Sequence, residues 1–321
     1  MMTEAPAIEL VKLSKMYNNK VLALDQVDLV INHGEIIGYL GPNGAGKTTT
    51  MKILANLIKP TGGQAFINGV NVQEKPKEAL RRAGILLEVP GIYEYLTPVE
   101  LLTYSGKIYG MEDSAIKKRI DEVLAMVMLG EWSAKKIGSF STGMIRRLMI
   151  AGTMLHDPDI FILDEPVIGL DPRGIYDVRQ IIKNLQAIGK TIFLSSHLLH
   201  EVSEVCQKIV IINKGKISLV DSVSSILGAT TATKGEIRVE FETKLTAEQI
   251  EILKYIPNFV KIEIFPDFMS ATLHISGGRP AFSKFLMEMM SKGISIVSFA
   301  PKQAELEDVY MSLVGSAEGV R

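Results

Sequence analysis

Apolar and polar residues alternate along residues 7–31 in two runs, with Asn18-Asn19-Lys20 between them, the pattern of two antiparallel strands joined by a turn. Ile36-Ile37-Gly38-Tyr39-Leu40 follows as a short continuous apolar run suited to a buried strand. The stretch from Lys47 to Ile58 mixes polar and apolar positions and predicts a surface helix, which Pro60-Thr61-Gly62-Gly63 ends. Gln64 to Asn68 predicts a short strand turning at Asn68-Gly69. From about Pro76 to Phe140 the texture becomes that of amphipathic helices. Within it Thr97-Pro98-Val99-Glu100 supplies an N-cap, a proline at the first helical position and a capping-box glutamate. The expectation is a helical subdomain over about 76–140, inserted into an α/β core.

Two more apolar runs, Ile160-Phe161-Ile162-Leu163 and Thr191-Ile192-Phe193-Leu194, flank a helical pattern from about Pro172 to Ala187, as in a parallel sheet covered on both faces. Residues 208–220 predict a hairpin around Asn213 to Gly215, and a short helix follows from Val223 to Leu227. Residues 228–235, GATTATKG, have no apolar periodicity and read as a linker between a first domain, 1–227, and a second, 236–321. The second has the order βαββαβ: strand Glu236–Glu242, helix Thr246–Ile256, strands Val260–Phe265 and Ser270–Ile275, helix Pro280–Ser291 and strand Ile294–Phe299. That order predicts a small ferredoxin-like α+β domain with a final helix from Ala304 to Val314. Phe282, Phe285, Leu286 and Met289 fall at helical spacing and read as a core face.

Composition narrows the picture. A chain of 321 residues, 47% of them hydrophobic, buries enough apolar surface for two domains. Its net charge of -1 lacks the basic footprint of a nucleic-acid binder, so no nucleic-acid partner is expected. One cysteine, Cys206, permits no internal disulfide and reads as a small buried hydrophobe in a reducing compartment. The N-terminus has neither the basic start nor the apolar centre of a signal peptide, and no run of about 18 apolar residues occurs. Work on a membrane would therefore pass through another subunit.

The chemistry starts at Gly41–Thr48, GPNGAGKT, which fits the phosphate-binding pattern G-x-x-x-x-G-K-[ST] between a predicted strand and a predicted helix. Gly41, Gly44 and Gly46 allow backbone conformations in which successive N–H groups turn towards phosphate oxygens. Lys47 supplies a positive charge for the β- and γ-phosphates, and Thr48 a hydroxyl ligand for Mg²⁺. The strand ends add Asp164-Glu165 and Ser195-Ser196-His197. In open α/β sheets ligands lie beyond the carboxyl ends of the strands, so Lys47, Asp164, Glu165 and His197 are expected at one edge.

With these motifs in order, residues 7–227 resemble the ATP-binding subunit of an ATP-binding cassette (ABC) transporter. The most specific element is Phe140-Ser141-Thr142-Gly143-Met144, which looks like the family's LSGGQ signature. The resemblance implies a P-loop NTPase fold and two cofactors, ATP and Mg²⁺. It also implies a dimer, with itself or a related cassette, in which Ser141 and the Gly143 N–H meet the γ-phosphate bound by the other copy. Nucleotide contacts would come from Gly41, Pro42, Asn43, Gly44, Ala45, Gly46, Lys47, Thr48 and Thr49. Tyr17 matches the residue that stacks on adenine, and Asp171 the loop that crosses to the partner. Asp164 would hold Mg²⁺ through water, Glu165 would act as general base, and His197 would contact the γ-phosphate. Two positions depart from the family pattern: Glu88 stands where a glutamine usually links Mg²⁺ to the membrane subunit, and Thr142 where a glycine is usual. Glu88 remains a candidate ligand of both nucleotide and metal.

The implied function is an ATPase subunit on the cytoplasmic face of the cell membrane, driving transport through separate membrane-spanning partners. The C-terminal Leu306-Glu307-Asp308-Val309-Tyr310 is similar to tails in the subfamily of prokaryotic drug, antibiotic, lipid or polysaccharide exporters, which favours export. The alternatives are a soluble ABC-type ATPase acting on nucleic acid or protein assemblies, and a regulatory nucleotide-binding module with weak hydrolysis.

Overall fold

A computed structural model of the chain describes residues 5–18, 20–87, 91, 93–197, 202–226 and 236–301. Backbone contacts divide the chain into two units, Met1–Val223 and Ser224–Arg321.

In the first unit, β1 (Ile8–Tyr17) and β2 (Val21–Ile31) pair antiparallel, and β1 also pairs with β4 (Gly62–Ile67), which continues into β5 (Val70–Asn71). The β4–β5 turn places Asn68 and Gly69 both at positive φ, 51° and 73°, the hairpin geometry that an Asn-Gly pair favours. The second sheet has six strands: β3 (Ile36–Leu40), β6 (Ala83–Leu86), β7 (Ile160–Leu163), β8 (Thr191–Ser196), β9 (Lys208–Asn213) and β10 (Lys216–Ser222). Their order is β10-β9-β3-β8-β7-β6, parallel except for β10, which folds back on β9. Every residue of β3, β7 and β8 is buried, which explains why these strands read as unbroken apolar runs rather than alternations.

Helix α1 (Lys47–Leu54) lies between the two sheets. Its Met51, Ile53 and Leu54 join a core with Leu10, Leu13 and Ile31 from one sheet and Tyr39, Ile162 and Phe193 from the other. Full burial of side chains of this size contributes about 1.5–3 kcal/mol each. The expectation of a surface helix running to Ile58 is thus corrected. The helix is sandwiched, its apolar residues spread over more than one face, and it ends at Leu54, just before Asn56 takes a positive φ of 55°.

The region expected to be helical from Pro76 differs as well. Among the described residues of that region before Thr97 only α2 (Pro76–Leu80) is helical, and Ala83–Leu86 is the edge strand β6. Four apolar residues carry too little periodicity to separate a buried strand from a buried helix. The helical part starts at α3 (Pro98–Ile108), where Thr97 and Glu100 form the expected capping box, and continues through α4 (Asp113–Met126) and α5 (Thr142–Met154). α6 (Pro172–Ala187) then joins β7 to β8.

The second unit contains β11 (Glu236–Phe241), α7 (Ala247–Lys254), β12 (Phe259–Ile264), β13 (Ser270–Ile275), α8 (Gly278–Ser291) and β14 (Ile296–Pro301). The strands form an antiparallel sheet in the order β14-β11-β13-β12, the ferredoxin-like arrangement for βαββαβ. Ile237, Val239, Leu273, Phe282, Phe285 and Met289 belong to its own core. Residues 223–226 are helical. Leu227, the expected linker 228–235 and the expected helix Ala304–Val314 lie outside the described residues.

Candidate nucleotide site

The loop after β3 is held open by its glycines. Gly46 caps α1 at φ 112°, and a Cβ there would stand 2.5 Å from the Ala23 carbonyl oxygen, so no larger residue fits this backbone. From the other side the β9–β10 turn pins the loop through Gly215 N–H, which donates to Ala45 O at 3.0 Å. Thr50, one turn into α1, donates to Gly46 O at 3.1 Å and meets the buried Tyr39 hydroxyl at 3.3 Å. Lys47 is only 6% exposed, and its ammonium donates to Gly41 O at 2.7 Å. Pro42 to Thr49, with Glu165, Ile168 and His197, line an open cavity of about 310 Å³.

Glu165 is the centre of that cavity's chemistry. Its carboxylate lies 3.5 Å from Lys47 Nζ and accepts from His197 Nδ1–H at 2.8 Å, one oxygen to each. Asp164 is buried, and its backbone N–H donates to Leu86 O at 2.7 Å, tying the end of β7 to β6. Glu165 takes a left-handed φ of 47°, so the chain turns as it leaves the strand; the Glu165 carboxylate lines the cavity, while the Asp164 carboxylate next to it in sequence is buried. Strands β3, β7 and β8 thus bring Lys47, Asp164, Glu165 and His197 to one edge, as the strand-end argument expects.

Ser195 carries a role that no sequence motif assigns. Its buried hydroxyl donates to Asp164 Oδ1 and accepts from Glu165 N–H at 2.9 Å. The one available signal was a pair of serines closing an otherwise apolar strand.

The signature lies elsewhere. Ser141 caps α5 and accepts from Met144 N–H at 3.3 Å, leaving Thr142 and Gly143 in the first helical turn, with Thr142 exposed. Asp171 caps α6 through Gly174 N–H at 2.9 Å. These two helix starts pack together, since a Cβ on Gly143 would lie 3.5 Å from Gly174 Cα. They border a cavity of about 480 Å³ that includes Ser141, Gly143, Asp171 and Arg173, with the Arg147–Asp177 ion pair at 3.3 Å on its wall. Ser141, Gly143 and Asp171 therefore share a pocket with each other and not with Lys47. Tyr17 ends β1, 37% exposed and with Lys15 Nζ 5.2 Å from its ring, outside both cavities. Glu88 lies outside the described residues.

The sequence matches the ABC transporter family over residues 24–168. It is 36% identical over 309 residues to the bacitracin transport ATP-binding protein BcrA of Bacillus licheniformis, covering 96% of this chain and 97% of that protein. The chain belongs to the ABC transporter ATP-binding proteins. The linearmycin resistance ATP-binding protein LnrL of Bacillus subtilis is 30% identical over 308 residues, covering 94% of this chain and 96% of its own. Among solved structures, one titled as the ATP-binding subunit of an ABC transporter superposes with a TM-score of 0.62 at 30% identity, over 70% of this chain and 93% of that one. The chain is thus an ABC ATP-binding subunit with the α/β cassette fold and ATPase activity coupled to transport. Subunits of this kind dimerise and pair with membrane-spanning components. Among the described residues no helix is long and apolar enough to cross a membrane.

Proposed function

We propose that this ABC subunit hydrolyses ATP to power export of an antibiotic-class or drug-class compound through separate membrane-spanning partners, from the cytoplasmic face of the membrane. The observation that carries the catalytic reading is the placement of the Glu165 carboxylate between Lys47 and His197 in the phosphate-loop cavity. Similarity along nearly the whole chain to a bacitracin transport protein and a linearmycin resistance protein supports the cargo class and the outward direction.

In this reading the loop N–H groups and Lys47 bind the phosphates at the start of α1. Glu165 accepts a proton from the attacking water, and His197 holds the Glu165 carboxylate through Nδ1–H while its other nitrogen faces the γ-phosphate. The donor set suits Mg²⁺: Asp164 offers carboxylate oxygen and Thr48 a hydroxyl, hard ligands for an ion that takes its remaining partners from phosphate and water. When bound, the ion neutralises phosphate charge.

Because Ser141, Gly143 and Asp171 line their own pocket, they serve the nucleotide of a second copy, and the dimer closes on ATP and reopens after hydrolysis. The helical part and the segment around Glu88 receive the membrane subunits. Residues 236–321 stabilise or regulate the dimer.

The test is Glu165→Gln in the full chain. Steady-state turnover should fall by about 10²–10⁴, while ATP binding measured without turnover is retained. Unchanged hydrolysis would sink the assignment.

A further inference from the structure

We propose that Ser195 is a positioning residue for hydrolysis, its hydroxyl holding the Asp164 carboxylate and the Glu165 main chain in one fixed arrangement. The inference rests on the reading of Glu165 as the base.

The geometry gives this hydroxyl little choice. Ser195 is the penultimate residue of β8, fully buried between β3 and β7, and cannot turn to water. A hydroxyl has one proton to donate and lone pairs to accept with. A carboxylate only accepts, so the proton goes to Asp164 Oδ1; an N–H only donates, so a lone pair receives Glu165 N–H at 2.9 Å.

The regular pairing of β7 with β8 ends at Leu163 opposite Leu194. At the next step a side chain takes the N–H that a ladder carbonyl would otherwise accept. The strand is thereby released into the left-handed turn at Glu165, φ 47°, a conformation that a glutamate seldom adopts unaided. Two residues further on, His197 accepts the outcome by donating to the Glu165 carboxylate. The end of β8 grips Glu165 twice, at the main chain through Ser195 and at the side chain through His197.

Removal of the hydroxyl leaves a buried N–H and a carboxylate oxygen without this partner and lets Glu165 relax towards ordinary φ values. The carboxylate then leaves the place where it faces Lys47. Lys47 and the loop glycines are untouched, so the loss falls on turnover and not on nucleotide affinity.

The experiment compares the full-length wild type with Ser195→Ala, Ser195→Thr and Glu165→Gln, reading kcat, KM, ATP affinity by equilibrium binding without turnover, and thermal unfolding. For Ser195→Ala, kcat should fall by about 10–100-fold, the size of effect that a small misplacement of a reacting group produces. ATP affinity should stay near wild type, while the unfolding midpoint falls by a few degrees because a buried N–H and a carboxylate oxygen lose their partner. Ser195→Thr, which keeps the hydroxyl, should recover most of kcat. Wild-type kcat in Ser195→Ala overturns the inference, as does ATP affinity falling in step with kcat, or a Thr variant as slow as the Ala variant. Undiminished hydrolysis in Glu165→Gln defeats the base assignment underneath it. Loss in Glu165→Gln with none in Ser195→Ala defeats this inference alone.

Discussion

Gly46 shows how one residue constrains the site. At φ 112° and with the Ala23 carbonyl where a Cβ would go, alanine adds strain of about 1–3 kcal/mol. Gly46→Ala should weaken ATP binding by about tenfold or more, tenfold corresponding to about 1.4 kcal/mol; wild-type affinity in a binding titration would contradict this. His156 carries a pH effect. Its Nε2–H donates to Ala83 O at 3.2 Å, its ring stacks on Tyr109, and its buried Nδ1 has no partner among the described residues. Protonation would place a charge on that nitrogen, so burial lowers the pKa below the usual histidine value, with Arg119 adding to the effect and Asp157 opposing it. The unfolded chain then binds the proton more readily than the folded one. Stability is fully present above about pH 6.5 and falls as pH drops through the window below it. Thermal midpoints measured from pH 7.5 downwards should decline less steeply in His156→Phe than in wild type; parallel curves would remove His156 as the cause. The residues of the phosphate loop were legible because glycine and lysine spacing alone defines that loop. Ser195 was not, because its two partners become neighbours only once β8 is known to lie beside β7.

At the scale of elements, local signals were most reliable where a side chain closes on its own backbone. Thr97 accepts from Glu100 N–H at 3.2 Å and Glu100 returns a bond to Thr97 N–H at 2.7 Å, so the start of α3 was readable from four letters. Thr97→Ala should destabilise the chain by about 1 kcal/mol in denaturant unfolding, and no change in midpoint would show that tertiary packing alone fixes this helix. Long apolar runs likewise read correctly as β3, β7 and β8. The misreadings at β6 and α1 have different causes: β6 is too short for a period to show, and α1 reads as a surface helix because its polar residues Lys47 to Thr50 face the phosphate loop and its cavity. The acid pair stands between these cases. Its place at a strand end was legible, whereas the left-handed turn that directs Glu165 was not, since glutamate gives no local sign of it.

At the scale of the whole molecule, function lies in the first unit and in what it joins. The second unit has its own core and its own complete sheet, so residues 236–301 carry the apolar contacts of an independent fold. If they stabilise or regulate the dimer, a chain ending at 227 should self-associate more weakly in sedimentation and show an altered ATPase rate; unchanged values in both would end that proposal. The order of βαββαβ strands was legible from sequence, but its role was not, because no chemistry-bearing cluster marks it. Whether the subunit drives membrane-spanning partners is tested by affinity purification of the Glu165→Gln protein from its native membranes with ATP present, followed by mass spectrometry. A polytopic membrane protein should be recovered in stoichiometric amount. Recovery of only soluble proteins or nucleic acid from well-solubilised membranes would contradict that role.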